Sequence, residues 1–500
     1  MWSGHPHLVQ KAIAKVEQAW ALTRDPRIAI QLATMYDRAN RNDDGLVVLR
    51  WAFHDNPRHA LLRHHAGITL LRHGTPADIR DFFDSVLAFD PRDAFAQFIV
   101  TLLDGFDGRV EQLVSLIERD RDGRQPFLIS LPVWGQPFTD YCVRYLCGSL
   151  LSPGNVPALA KTHAVHIAVF TDEKTEQILR ADPLFCQFAE HAKIHFVRYS
   201  ADLVNHQPSL DACYGDQKVE YSAHSLAFYY ARNCKFALMS CGHYAALAAG
   251  RATGALVSSM VADIVLNDGA LPEMAAAMVK ADALLVHAIQ LHGKDVRPLL
   301  DREFRQPDGV LRLSSETLTN LVVEQIPEIN FADTACFADP PLRIAWRVGD
   351  QGVLVHGNHY HPFCLRPTAF EHPLKLSIDP VDSRFIERTS LERDRIHLVQ
   401  DSSIISLSID DDPILAPSEH SMGTLSVPLL ALWLWGYWGR LRGELFRTPV
   451  RFGRVVGAED WQRAEAAASA MVDAIVEGAN ALDSDRQATK SWRLPGGRDR

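Results

Sequence analysis

The sequence lacks several features that would place a protein in a well-marked class. Its eight cysteines form no CxxC pair, so neither a thiolate metal knuckle nor a disulfide framework is expected. No block of Lys and Arg interrupts a chain of formal charge -10, so nucleic acid is not an expected partner. The most hydrophobic run, residues 427–439, is shorter than the ~20 residues that span a bilayer. No transmembrane segment is therefore predicted.

The remaining composition is that of a folded globular protein. Apolar residues make up 47% and charged residues 22% of 500, which favours two or three packed domains. The opening residues lack the basic start, apolar run and cleavage site of a secretory signal, so we expect a cytoplasmic protein. The Trp-rich run 427–439 predicts a core helix, and the alternative is a patch that lies against the inner membrane.

Residues 1–124 are predicted to form an all-α helical-repeat domain. Apolar residues recur at helical spacing, and Asp25-Pro26, Asn56-Pro57 and Asp90-Pro91 follow one another at intervals of 31 and 34 residues. An Asp or Asn before Pro predicts a capped helix that begins at the proline. The period is tetratricopeptide-like and suits a docking module for a protein partner, and the alternative is an ordinary helical bundle.

Residues 125–415 are predicted to form an α/β domain, followed by a helical cap and tail over residues 416–500. Strands are expected at 125–134, 163–171 and 193–200 with helices between them, which is typical of a parallel sheet. The apolar run 254–266 and residues 282–289 predict further strands. The stretch 340–412 is rich in strand patterns, which include 352–365 and 373–378.

Two acidic residues and a histidine cluster lie where these strands should end. Asp263 and Asp268 predict an acidic turn beside a ligand crevice, and the alternative is a solvated chain reversal. In an extended chain His359 and His361 share one face, whereas His356 points the opposite way. A divalent cation held by a carboxylate and His361 is one interpretation, and hydrogen-bonded structural histidines are the other.

Several segments together resemble a group of bacterial glycosyltransferase-like proteins that join tetratricopeptide repeats to a GT-A-type domain. The segments are residues 131–159, HIAVFTDE, KFALMSCGHYAALAAG with ADIVLNDGAL, HYHPFCLRP, LSIDP and HLVQDSS, which occur in order between residues 128 and 405. The resemblance implies a GT-A-like sheet, mostly parallel and flanked by helices. It also implies transfer of a hexose-like sugar from a nucleotide-sugar donor to a glycan, lipid-linked or protein acceptor.

The resemblance further implies roles for particular residues. Asp263 and His361 correspond to ligands of a Mn or Mg ion on the donor diphosphate, and His359, which shares a face with His361, is the third predicted ligand. The sequence lacks a strict Asp-x-Asp, however, and a basic side chain is the alternative way to neutralise the phosphates. The basic candidates are Lys235, Arg366 and Arg347.

The donor is expected to contact the loop after the first strand and the end of the second. The predicted donor-binding residues are Pro132, Trp134, Gly135, Thr139, Thr171, His243, Asp268 and Arg366, with Asp172 and Glu173 beside them. The predicted general base is Asp379 or Asp401, with Asp382 as a further candidate. Two other functions stay open, namely a metal-dependent hydrolase or oxygenase built on His356, His359 and His361, and a non-catalytic repeat-containing adaptor.

Overall fold

The structure is a computed structural model. It describes residues 6–39, 41–205, 223–332, 343–372, 374–378, 381, 383–410, 427–428, 430–431, 434, 440–453 and 456–488.

The N-terminal region is built from successive helices that pack on one another. They are α1 (Pro6–Thr23), α2 (Pro26–Arg38), α3 (Asn42–Asp55), α4 (Ala60–His73), α5 (Pro76–Phe89), α6 (Ala94–Asp104) and α7 (Phe106–Arg119). The first strand begins at Gln125.

The predicted helix starts are correct at one Pro and displaced at two. Asp25 caps α2 and accepts a hydrogen bond at 2.8 Å from a backbone N–H of its first turn. The prediction was wrong at Asn56 and Asp90, because the prolines after them lie in turns and the helices begin a few residues later. His59 and Asp93 are the actual caps of α4 and α6. Asn and Asp before proline favour turns as well as helix caps, and the turn prevails here.

The α/β region contains a mixed sheet with a second, smaller sheet beside it. The strands are β1 (Gln125–Pro132), β2 (His163–Thr171), β3 (Lys193–Arg198), β4 (Leu256–Ser259), β5 (Ile264–Leu266), β6 (Ala283–His292), β7 (Arg343–Val348), β8 (Gly352–Gly357), β9 (Tyr360–Leu365), β10 (Ile396–Leu398), β11 (Ser406–Asp410) and β12 (Val450–Gly453). The large sheet has the order β3-β2-β1-β4-β9-β6-β11-β5, and β10 also pairs with β6. Strands β5 and β9 run against the others, and β12-β8-β7 form the antiparallel small sheet.

Helices cover both faces of the large sheet. The remaining helices are α8 (Gln136–Tyr141), α9 (Gly148–Leu150), α10 (Val156–Leu159), α11 (Glu173–Ala181), α12 (Pro183–Cys186), α13 (Ala201–Asn205), α14 (Ala223–Thr253), α15 (Ala270–Ala277), α16 (Gly293–Leu299), α17 (Ser315–Gln325), α18 (Ser383–Arg388), α19 (Arg440–Phe446) and α20 (Ala458–Ala488), and a π-helical turn, Cys142–Cys147, joins α8 to α9. Helix α14 packs between α7 and β1, so one core continues from the helical region to the sheet. Segments α8–α12 and α15 bury the other face. The predicted fold class is confirmed as far as the architecture goes: an N-terminal all-α region is joined to an α/β domain whose mostly parallel sheet is flanked by helices.

Three strand predictions need correction. The run 254–266 forms two strands, β4 and β5, which pair with different neighbours. The run 352–365 also divides, since β8 belongs to the small sheet and β9 to the large one. The described part of 373–378 forms no strand. Apolar alternation identifies extended chain, but it does not reveal where the chain passes from one sheet to another.

Candidate functional site

One edge of the large sheet collects most of the residues that the sequence singled out. Strands β1, β2, β4, β6 and β11 end at this edge and the antiparallel β9 begins there, and we call it the C-terminal edge. Ligands of open α/β sheets gather outside the carboxyl ends of the strands. The segments 131–139 and 359–361, the residue Asp263 and the end of β2 all lie on this side of the sheet.

The loop after β1 has the backbone geometry of a tight turn into a helix. Gly135 adopts φ +79°, which is uncommon for residues with a side chain, and nothing lies near its missing Cβ. Thr139 is buried, and both its N–H (3.0 Å) and its hydroxyl (2.9 Å) donate to the Gly135 carbonyl. Pro132 is buried, and Trp134 lies edge-on to Tyr199 with ring centroids 6.3 Å apart.

The end of β2 contributes one buried hydroxyl. Thr171 is 0% exposed, and its Oγ1 has no hydrogen-bond partner among the described residues. Its neighbour Asp172 instead caps α11, where it accepts from the N–H (2.9 Å) and hydroxyl (3.0 Å) of Thr175. Thr171 thus has a buried hydroxyl without a protein partner among the described residues, whereas Asp172 has a structural role.

A buried polar group joins α14 to the strand ends. The Ser130 hydroxyl on β1 lies 3.0 Å from His243 Nδ1 and shares a hydrogen bond with it. The ring of His361, at the start of β9, lies edge-on to that of His243 at 6.4 Å. Ser259 pairs with Ser130 across β4 and β1 and so shares its face. Three polar atoms of this group have no hydrogen-bond partner among the described residues: Nε2 of His243, Nε2 of His361 and the Ser259 hydroxyl.

Glycine at position 242 lets α14 approach closely enough to form this group. A Cβ at Gly242 would lie 2.8 Å from the Phe170 ring, too close for the helix to keep its position. Burial lowers the pKa of His243 to about 3 and that of His361 to about 4, so both rings are uncharged at neutral pH.

The histidine cluster of the sequence is divided between the two sheets. His356 lies on β8 and its Nδ1 donates to the Phe446 carbonyl at 2.8 Å. His359 lies in the connection to β9, where its carbonyl accepts from the N–H of Ala288 on β6. His359 and His361 remain partly exposed, whereas His356 is buried. His356 is thus structural in this arrangement.

An arginine that the sequence analysis missed lies next to His359. Arg343 opens β7 and is 1% exposed, and its Nη2 donates to Gln290 Oε1 at 3.0 Å. Burial lowers the pKa of His287 and of His359, and the nearby charge of Arg343 lowers both further. The sequence offers one weak signal for it, an arginine at the start of a largely apolar strand. The alternation of residues along the strand does not reveal that this arginine is buried.

Asp263 lies at the C-terminal edge, four residues beyond the end of β4. Its carbonyl accepts from the N–H of Ile409 at the end of β11, and its carboxylate accepts from the Ser408 hydroxyl at 3.3 Å. The expected single acidic turn does not form, because β5 separates Asp263 from Asp268. Asp268 lies at the other end of β5, where its Oδ1 accepts from the N–H of Gly154 at 2.6 Å.

Arg366 also has partners away from the C-terminal edge. Because β9 runs antiparallel, its last residues reach the opposite edge, where Arg366 Nε lies 3.4 Å from Asp282 Oδ1. Arg366 also donates to the Met278 carbonyl, and Arg395 holds the second oxygen of Asp282 at 2.8 Å. The expectation that Arg366 contacts the donor is therefore corrected to a structural role.

The other predicted acids and bases are dispersed. Asp401 is exposed in the turn before β11 and accepts from the Ser403 N–H at 3.0 Å, a contact that lowers its pKa. Asp379 and Asp382 lie outside the described residues. Lys235 lies over the Phe138 ring at 4.3 Å. Arg347, on β7 of the small sheet, forms an ion pair with the exposed Glu328.

The described side chains form no cluster of three metal ligands. No group of three or more His, Cys, Asp or Glu is close enough to hold an ion within the described part of the chain, so Asp263, His359 and His361 form no ready ligand set there. A groove of about 440 Å³ lies elsewhere, between α7, α11 and β3, and Arg119, Arg180 and Arg198 line it. None of the described helices is long and apolar enough to cross a membrane.

Comparisons with known proteins find a similar solved structure but no matching family. No protein-family model matches the chain, and no curated protein matches it. Among solved structures, the chain is similar to mouse xyloside xylosyltransferase 1 in its apo form, with 12% identity over 49% of this chain and 68% of that one. The TM-score is 0.23, which is too low to carry an argument.

Proposed function

We propose that this protein is a glycosyltransferase that moves a sugar from a nucleotide-sugar donor to an acceptor hydroxyl. The observation that carries the proposal is that the 131–139 loop, Asp263 and the 359–361 segment all lie along the C-terminal edge of one sheet. They are far apart in sequence, and they lie on the side where open α/β sheets bind nucleotides. The sequence resemblance to GT-A-type proteins supports the same assignment.

Each residue then has a task in donor binding. The turn at Gly135 and the Thr171 hydroxyl receive the base and ribose, and His243 and His361 offer their unpartnered ring nitrogens to polar groups of the donor. Departure of the nucleoside diphosphate develops negative charge, so donors placed in advance around it lower the barrier. Asp379 is the proposed base that accepts the acceptor's proton, since Asp401, the other candidate, precedes β11 and so lies away from the C-terminal edge.

The finer parts of the proposal concern partners and place. The acceptor is a bacterial glycan, a lipid-linked intermediate or a protein, and the helical region, which we propose to be tetratricopeptide-like, docks a protein partner. The enzyme acts in the cytoplasm, at the inner face of the membrane when the acceptor is lipid-linked. We propose that a Mn or Mg ion binds at Asp263 together with the donor, whose phosphate oxygens supply the remaining ligands.

Nucleotide binding tests the function directly. UDP, GDP and CMP are titrated against the full chain with and without Mn, and a nucleotide at a hundredfold excess over its Kd stabilises the fold by about 2.7 kcal/mol. Asp263→Asn is expected to weaken binding, and Asp268→Asn at the other end of β5 is the matched control that leaves it unchanged. If no nucleotide binds under any of these conditions, the transferase proposal fails and the adaptor alternative gains.

A second assay separates this proposal from the metal-dependent hydrolase or oxygenase. That alternative needs tightly held zinc or iron, which elemental analysis of the purified protein detects. The division of the three histidines between two sheets gives it no structural support. The transferase is expected to release nucleoside diphosphate from a donor sugar in a coupled assay.

A further inference from the structure

Arg343 is a buried cation whose charge the described protein does not neutralise. It is 1% exposed, and its one side-chain hydrogen bond within the described part of the chain is that of Nη2 to the neutral amide oxygen of Gln290. Within the described part of the chain its Nη1 has no acceptor, and no carboxylate forms an ion pair with it. An isolated buried charge is strongly disfavoured unless something pairs with it, so a missing anion is the natural complement.

The histidines around Arg343 also have unpartnered polar atoms. His287 on β6 and His359 in the β8–β9 connection are its electrostatic neighbours, and His287 Nε2 and His359 Nδ1 have no partner among the described residues. An uncharged imidazole carries one N–H that can be donated. Arg343 thus presents an unused donor at Nη1, beside one unpartnered ring nitrogen each of His287 and His359, and we call these residues the Arg343 cluster.

The position of the Arg343 cluster connects it to the proposed donor site. β7 touches the large sheet through Gln290, and His287 pairs with Tyr360 immediately after His359. His359 and His361 are partly exposed, so this part of the C-terminal edge faces solvent. A planar guanidinium suits two phosphate oxygens at once, which an ammonium does not.

We propose that the Arg343 cluster binds a phosphoryl oxyanion and, resting on the proposed function, that this anion is the diphosphate of the nucleotide-sugar donor. Arg343 then supplies the positive charge that a metal ion supplies elsewhere, and His287 and His359 donate hydrogen bonds to the phosphate oxygens. This agrees with the lack of a three-ligand metal group among the described side chains.

The test is binding of inorganic pyrophosphate to the full chain in EDTA-containing buffer, measured by calorimetry. Arg343→Met is expected to weaken binding by about 10- to 100-fold, the loss typical of a charge-assisted hydrogen bond. Arg343→Lys is expected to fall between it and the wild type, because the charge stays and the fork geometry is lost. Arg451→Met is the control, since Arg451 is a surface arginine of the same small sheet, paired with Glu465.

A stability measurement separates a binding role from a structural one. Without anion, Arg343→Met is expected to melt at or above the wild-type temperature, because it removes an unpaired buried charge. A lower melting temperature, or failure of the variant to fold, overturns the proposal, since the arginine would then hold the fold together. Equal pyrophosphate affinity of wild type and Arg343→Met also overturns it.

The same experiments distinguish this inference from the proposed function. If pyrophosphate binds through Arg343 but no nucleotide binds and no sugar is transferred, the oxyanion site stands and the transferase fails. If UDP or GDP binds equally well to the wild type and to Arg343→Met, the transferase stands and the Arg343 assignment fails. Sulfate at equal concentration measures selectivity. If sulfate binds as tightly as pyrophosphate, the site is not specific for a diphosphate.

Discussion

Replacing Arg366 with Ala is expected to destabilise the protein without affecting phosphate binding. The substitution removes one of two arginines from Asp282, whose side chain is 10% exposed, and frees the Met278 carbonyl. Arg366 is itself 30% exposed. The loss therefore falls between the ~1 kcal/mol of a surface pair and the 3–5 kcal/mol of a broken buried pair, at about 2 kcal/mol.

Thermal and urea unfolding of the full chain measure this change. A loss of about 2 kcal/mol lowers the melting temperature by roughly 4 °C in a domain of this size range. Arg347→Ala is the matched control, because Arg347 pairs with the exposed Glu328, and its expected effect is below about 1 kcal/mol. Our reasoning is refuted if Arg366→Ala keeps wild-type stability while pyrophosphate binding is lost.

Three further predictions concern stability. Burial lowers the pKa of His64 to about 3 in the folded state, so the unfolded chain binds more protons between that pH and about 6.5. Stability is thus complete above pH 6.5 and falls as the pH drops. His64→Leu should reduce the loss between pH 7 and pH 5 by about 2 kcal/mol in urea titrations. Gly250→Ala should cost about 1–3 kcal/mol in the same assay, because the added Cβ would overlap Val257 and push α14 from β4. Asp268→Ala should cost about 1–2 kcal/mol through the lost bond to Gly154, with nucleotide affinity unchanged.

Each of these has a contrary result. A pH dependence identical in wild type and His64→Leu would show that this histidine is not buried uncharged. Wild-type stability of Gly250→Ala would contradict the close approach of α14 to the sheet. Weaker nucleotide binding by Asp268→Ala, with stability intact, would return that carboxylate to the donor site.

The local elements were predictable because their signals are local. The run HAVHIAVFT forms β2 over its whole length, and the strands at 125 and 193 begin where the pattern of apolar residues begins. Helix capping at Asp25 depends on one side chain and its neighbouring N–H groups. Each of these features depends on a few adjacent residues, so the sequence alone contains the information that specifies it.

The site was predictable in part. Placement at strand ends correctly brought the 131–139 loop, Thr171 and Asp263 to one edge, since parallel strands place their carboxyl ends together. The same reasoning failed for Arg366, because the antiparallel direction of β9 carries it to the opposite edge. It also failed for Asp268, since a three-residue strand separates it from Asp263.

The sequence by itself determined the helical region, the alternation of strands and helices after residue 125, and the segments that bear chemical groups. Only the tertiary structure decided strand direction, the division of the histidines between two sheets, and the burial of Arg343 without a counter-charge. The reason is physical. Periodicity and capping act over a few residues, whereas pairing direction, burial and charge balance depend on residues that are distant in the chain and become neighbours only on folding.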